Sequence, residues 1–195
     1  MPAPLILASS SPRRQELLRL ARIPFEVEVP EVDESCALPA KEAVAELSRR
    51  KALCAAAARP GRFVLASDTL VALDGESLGK PRDAEDARRM LRMLSGRTHH
   101  VYTAVTVVTP SGEILTETDA SAVTFDSLSD AEIAAYVATG DPLDKAGSYG
   151  VQGQASLFVS HLDGSYSGVM GLPLCLVRRL LSRAGYPVFD PEAHA

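Results

Sequence analysis

Short uninterrupted apolar runs alternate with longer stretches whose apolar residues recur every three or four positions, a pattern that predicts an α/β chain. Leu5-Ile6-Leu7-Ala8 and Phe63-Val64-Leu65-Ala66 are continuous runs of the buried-strand kind. Phe25-Glu26-Val27-Glu28-Val29 alternates instead and predicts a half-buried strand. Pro12 suits the first position of a helix that ends near Arg22-Ile23-Pro24. From Lys41 to Ala58 an alanine-rich helix is predicted, with Val44, Leu47, Lys51 and Cys54 along one stripe.

The second half continues in the same manner. Asp74-Gly75 is a hairpin signal between Leu70-Val71-Ala72-Leu73 and a return arm reaching Leu78-Gly79-Lys80-Pro81. Asp83 can cap a helix whose Ala84, Ala87, Leu91 and Leu94 face inward, with Arg88, Arg89 and Arg92 on the wet side and Gly96 at its end. Thr98 to Val108 and the run on to Phe125 form a long hairpin turned at Pro110-Ser111-Gly112. Neighbouring His99 and His100 would then point to opposite faces, poor geometry for a shared metal, and are structural. Ser129 and Glu132 make a capping box for a helix that Gly140 closes. Leu157-Phe158-Val159-Ser160 reads as a strand and Asp163-Gly164 as a turn. Gly171-Leu172-Pro173 starts a last helix that packs through Leu176, Val177, Leu180 and Leu181. A single domain spanning 1–195, frayed from about Pro187, is expected.

Composition narrows the class. A chain that is 46% hydrophobic and 23% charged is ordinary for a globular protein, and a formal charge of −5 argues against a general nucleic-acid coat. No stable nucleic-acid binding is expected. Cys36, Cys54 and Cys175 are odd in number and lack a zinc spacing, so reduced, packed thiols in the cytoplasm are expected. No uncharged run is long enough to span a bilayer.

The turn after the first strand concentrates the chemistry. Ser9-Ser10-Ser11-Pro12 leads into Arg13 and Arg14, placing two cations where unpaired N–H groups already carry partial positive charge. Serine hydroxyls, N–H groups and arginines on one spot would cradle a phosphate; the alternative is a solvated arginine pair. Lys51 lies among apolar positions and either snorkels to water or reaches into a cleft toward Glu34 or a phosphate. The acidic stretch Glu31 to Glu34 taken alone reads as a solvated turn. Asp68 ends a buried strand, where catalytic acids often stand, and the hairpin brings Lys80 toward it. The loop from Asp141 to Gly153 is either a surface connection or a close approach to a ligand, with Gln152 able to donate and accept against a base edge.

Taken together, Ser9-x-Ser11-Pro12-Arg13-Arg14-x-Glu16-Leu17-Leu18, Glu31-x-x-Glu34, Lys51-Ala52, Ser67-Asp68-Thr69, Gly79-Lys80-Pro81, Asp144-Lys145-Ala146-Gly147-x-Tyr149-Gly150-x-Gln152-Gly153 and Gly171-Leu172-Pro173 resemble the Maf family. The resemblance runs in order from about Leu5 to Leu181, and its specificity lies in the combination. It implies an inosine-triphosphatase-like mixed sheet flanked by helices, with two lobes around a cleft, and a homodimer. It implies hydrolysis of a nucleoside triphosphate to monophosphate and pyrophosphate with Mg²⁺ or Mn²⁺, a house-cleaning activity linked in some members to division arrest. Phosphate binding would fall on Ser9, Arg13 or Arg14, Lys51 and Lys80. The acids and metal ligands would be Glu34 and Asp68, with Asp68 activating water. Arg13, Thr69 and Gln152 match the dTTP/UTP branch. The sister branch, acting on 7-methyl-GTP, carries an aromatic residue in place of Arg13, where a methylated purine would stack.

Three other readings remain. One is a 7-methyl-GTP or broader purine activity, against which Arg13, Thr69 and Gln152 count. Another is a non-catalytic division regulator that binds nucleotide or nucleic acid. A nucleotidyl- or sugar-transfer enzyme with a similar phosphate loop is the third, opposed by the segment from Gly147 to Gly153.

Overall fold

A computed structural model describes residues 3–189. In chain order the regular elements are β1 (Leu5–Leu7), α1 (Pro12–Leu20), β2 (Phe25–Val27), α2 (Ala40–Ala58), β3 (Val64–Leu73) and β4 (Glu76–Leu78). They continue with α3 (Ala84–Leu94), β5 (Thr98–Val108), β6 (Ile114–Phe125), α4 (Asp130–Ala138), β7 (Val159–Asp163), α5 (Tyr166–Val169) and α6 (Leu174–Arg183). The strands form one mixed sheet in the order β2-β1-β3-β5-β6-β7, with β4 beside β3. β1 runs parallel to β2 and β3, and the other pairings are antiparallel.

β3 sets the architecture because its two neighbours on one edge leave a gap. β1 pairs only with Val64 and Leu65, and β4 pairs only with Val71 to Leu73. Between them, β3 from Ala66 to Leu70 has no strand on that side, while β5 continues unbroken on the other. The cleft opens into this gap. Alternation along β3 then sorts its side chains. Val64 and Ala66 face α2 and join Ile6, Ala8, Ala52, Ala55 and Val108 in one apolar cluster. Small alanines on α2 let the helix lie close to the sheet there. Leu65, Val71 and Leu73 face the other way, into the larger core built with α1, α3, α4 and α6.

Most local signals are met. Pro12 opens α1, Asp83 accepts from the Asp86 backbone N–H, and Ser129 with Glu132 forms the full capping box. Asp74 and Gly75 both adopt left-handed φ values, 51° and 85°, the geometry of a tight two-residue hairpin. Four expectations need correction. β2 ends at Val27, leaving Val29 exposed. Asp68 does not end a strand but sits in the middle of β3; what ends nearby is β1. The stretch Gln154–Phe158 is a 3₁₀ turn closed by Ser156 donating to the Gly153 carbonyl, so the strand begins only at Val159. Cys175 is exposed on the outward side of α6 and the other two cysteines are half-buried, so the free thiols are not core residues.

His99 is buried and His100 exposed, as alternation requires. Among the described residues no helix is long and apolar enough to cross a membrane. Val188 packs against the core; beyond Phe189 the tail expected to fray lies outside the described residues.

Candidate active site

The cleft has a volume of about 700 Å³ and is bordered by every residue the sequence singled out: Ser9, Arg13, Arg14, Glu34, Lys51, Asp68, Thr69, Lys80 and Gln152. Its two walls are built differently. On the α2 side of β3, Lys51 Nζ donates to Asp68 Oδ1 at 2.6 Å and pairs with Glu34 Oε1 at 2.8 Å. Lys51 and Asp68 are nearly buried, with side-chain exposures of 12% and 10%. Lys51 thus reaches into the cleft rather than snorkelling to bulk water. The acidic loop is more than a solvated turn, since Arg50 donates to the carbonyls of Asp33 and Ser35 and so brackets Glu34 from both sides. The hydrogen bond from Lys51 holds the Glu34 carboxyl below its ordinary range, against the opposing effect of partial burial.

On the opposite side, the adjacent arginines part company. Successive residues on a helix point about 100° apart, and only Arg14 turns inward, to the floor of the cleft. Its Nε donates to the Gly171 carbonyl at 2.9 Å, Nη1 to Ser9 Oγ at 3.2 Å and Nη2 to Thr69 Oγ1 at 3.4 Å. Burial pushes its pKa down, Asp68 pulls it up, and neighbouring Arg13 lowers it further. Arg13 instead extends along the rim, with Nη1 at 3.9 Å from Asp144. The expectation of two arginines converging on one spot is corrected accordingly. Ser9 Oγ also accepts from the Ser11 backbone N–H at 3.1 Å, and its own hydroxyl proton has no acceptor among the described residues.

A third side is the loop after α4, and it is anchored rather than a mere connection. Lys145 Nζ donates to the Asp141 carbonyl and to the carboxylates of Asp141 and Asp144 at 2.6–2.9 Å. Gly147 has a φ of 68° and lies so close to Val71 that a Cβ would meet its side chain at 2.8 Å. Tyr149 Oη lies 2.8 Å from His99 Nε2 in the core, and burial lowers the His99 pKa to about 4, so the ring is neutral. The loop therefore presents Gln152 from a fixed frame, with its side-chain amide unpartnered among the described residues. Lys80 stands exposed on the rim; it makes no contact with Asp68, and its charge acts on Glu34 instead.

Sequence reasoning did not single out Lys145 within its motif, the Ser67 and Thr103 hydroxyls, or the Gly171 carbonyl. Ser67 is fully buried and donates to that same carbonyl at 2.9 Å. A backbone acceptor leaves no mark in a side-chain pattern.

Fold and site together define an α/β protein that holds cations and a carboxylate pair around one cleft. The Ham1 protein of Staphylococcus aureus shares the fold, with a TM-score of 0.55 over 92% of this chain and 98% of that one at 15% identity. This likeness bears out the inosine-triphosphatase-like α/β class. The chain belongs to the Maf-like protein family, whose model matches residues 4–184. Three proteins named dTTP/UTP pyrophosphatase are similar across nearly their whole length. That of Symbiobacterium thermophilum is 49% identical over 97% of this chain and 98% of its own. The Koribacter versatilis protein is 50% identical over 93% and 94%, and that of Ralstonia nicotianae 48% over 92% and 93%.

Proposed function

We propose that this chain is a nucleoside triphosphate pyrophosphatase that converts dTTP and UTP to the monophosphate and pyrophosphate. The observation that carries the reading is one ammonium, Lys51, held between Asp68 and Glu34 in the cleft that also receives Arg14 and Gln152. The names of the similar proteins support the pyrimidine substrates.

Each residue has capacity left for a substrate. Lys51 has a third N–H beyond its two carboxylate bonds, and Arg14 has two N–H groups beyond its three acceptors. The Ser9 hydroxyl proton is free, and Lys80 waits at the rim. Together these groups neutralise negative charge along a triphosphate, which is the main demand of attack at the α-phosphorus. Gln152 offers a donor and an acceptor side by side, the complement of the carbonyl and imide shared by thymine and uracil.

The residues present fit a divalent cation. Asp68 and Glu34 share one ammonium, and the second oxygen of each carboxylate has no protein partner among the described residues. Hard oxygen donors of this kind suit Mg²⁺ or Mn²⁺, with substrate phosphates completing the shell. Among the described residues no cluster of three or more His, Cys, Asp or Glu side chains could hold a metal alone. When bound, the ion supplies charge neutralisation at the phosphates and lowers the pKa of a bound water. Asp68, fixed by Lys51 through Oδ1, orients a water with Oδ2 and accepts its proton.

The test is pyrophosphate release from dTTP, UTP, CTP, GTP and 7-methyl-GTP, with and without Mg²⁺ or Mn²⁺. Metal-dependent turnover led by dTTP and UTP is expected. Turnover confined to 7-methyl-GTP would overturn the assignment of Gln152 and Arg13, and binding without turnover of any triphosphate would overturn the enzyme reading.

A further inference from the structure

The hydroxyl network behind Arg14 has a fixed direction that can be worked out donor by donor. Thr103 Oγ1 lies 2.8 Å from the Gly168 carbonyl, which can only accept, so the single Thr103 proton is committed there. Thr69 Oγ1 lies 3.0 Å from Thr103 Oγ1 and must therefore be the donor of that bond. The Thr69 oxygen in turn accepts from Arg14 Nη2. The chain runs one way, from guanidinium to Thr69 to Thr103 to Gly168. At the other end of the guanidinium, the Gly171 carbonyl fills both lone pairs with Arg14 Nε and Ser67 Oγ, each at 2.9 Å.

From this we infer that Thr103 is a positioning residue for the pyrophosphatase reaction, acting through Thr69 to orient the Arg14 guanidinium toward the substrate phosphates. The inference rests on the proposed function above. Thr69, matched by resemblance to a substrate-choice position, has its one proton committed to Thr103 and affects the substrate through Arg14. The segment from Gly164 to Gly171 supplies both terminal carbonyls, which gives the Gly171-Leu172-Pro173 motif a role beyond starting α6. A Cβ at Gly168 would meet Asp119 Oδ2 at 2.7 Å and Ser165 Cβ at 3.0 Å. Thr103 is fully buried and pairs opposite Thr69 across β3 and β5, so it touches no substrate itself. The three acceptors of Arg14 and the Thr103 and Gly168 groups behind them are uncharged, so Arg14 keeps its charge for the ligand while its plane is fixed from three sides.

The test is a double-mutant cycle on the full chain, with kcat and KM for dTTP and UTP measured separately. Thr103→Val keeps the side-chain shape and removes the relay; kcat/KM is expected to fall about tenfold, and Thr103→Ser to restore it. In an Arg14→Lys background, where the fork is gone, Thr103→Val should add less than twofold. Full activity in Thr103→Val, or independent effects that multiply, would overturn the inference. If Thr103→Val does not fold, Thr103→Ala, which removes the same hydroxyl, supplies the cycle, with coupling to Arg14 supporting the inference and independence overturning it. Absence of turnover in the unmutated chain would instead remove the proposed function, so the two failures are distinct.

Discussion

The two faces of β3 hold a cation each, and they do so by opposite means. On the α2 face, Lys51 sits between two carboxylates, and its charge is already matched within the protein. On the other face, Arg14 is held by two hydroxyls and a backbone carbonyl, with no carboxylate bonded to it among the described residues. Alternation along one strand produces the contrast, because Asp68 faces α2 while Ser67 and Thr69 face the other way. The lesson concerns division of labour. Under the proposed function, a lysine tied to carboxylates fixes the acid assigned to the water, whereas an arginine held by neutral groups retains positive charge for an anion. Burying an arginine without a counter-ion is costly in isolation, and the cost is kept down by filling its donors and leaving the cleft beside it open to water or a polyanion.

The largest break in this comparison comes from Asp68→Asn. The amide preserves shape and can still meet Lys51, but it cannot take a proton from water. Turnover of dTTP and UTP is expected to fall about 10³-fold, within the range for losing a general base, while circular dichroism and thermal unfolding remain close to those of the parent. A variant retaining more than a tenth of the activity would show that the charged face does not handle the water.

Glu34→Gln is the next and smaller break. Glu34 is 65% exposed at its side chain and touches only one of the three Lys51 hydrogens, so Asp68 alone keeps Lys51 in place. About a tenfold loss in kcat/KM is expected, of the order of one charge-assisted contact. The pH dependence sharpens it. The Glu34 pKa is lowered by the Lys51 hydrogen bond, so this contact is present above the ordinary carboxylate pKa and is lost only as pH falls through the lowered folded value. Between pH 5.5 and 9 the variant should therefore scale the whole rate profile down without moving its limbs. A displaced acid limb in Glu34→Gln would mean that Glu34 titrates in the working range.

How much of this was legible in the sequence follows from which signals have a period. Lys51 among apolar positions and Asp68 in an apolar run are anomalies in a regular pattern, and both proved to lie in one cleft. The Asp74-Gly75 turn, the caps of α3 and α4, and the long β5–β6 hairpin carry local chemistry that no tertiary context overrode. The split between Arg13 and Arg14 was not legible, because rotation about the α1 axis is set by the packing of Leu17 and Leu18, both buried. The position of Asp68 in mid-strand was hidden because the gap beside it depends on where β1 and β4 stop. α5 has only four residues, too few for a periodic signal, and its contribution is a backbone carbonyl. The 3₁₀ turn at Gln154–Phe158 resembled a strand because a short apolar run has no period of its own.

The smallest expected effect concerns stability in acid, and it comes from His99 behind the uncharged face. His99 is 1% exposed, bonded through Nε2 to Tyr149, and its Nδ1 is buried without a partner among the described residues. Burial lowers its folded pKa to about 4, from the ordinary 6.5 expected when unfolded. Between those values the unfolded chain takes a proton that the folded chain refuses, so stability falls as pH drops through that window. The slope is about 1.4 kcal/mol per pH unit for one such proton. His99→Gln removes the titration without removing a side chain that can bond Tyr149. Urea unfolding of parent and variant at pH 7.5, 6.5, 5.5 and 4.5 isolates the effect of His99, because the other titratable groups cancel in the difference. The advantage of the parent should shrink steadily below pH 6.5, and a constant difference would show that His99 is not held neutral. In the folded chain the ring stays neutral down to about pH 4, so the His99–Tyr149 contact that anchors the loop carrying Gln152 persists in mild acid and the loss is one of global stability.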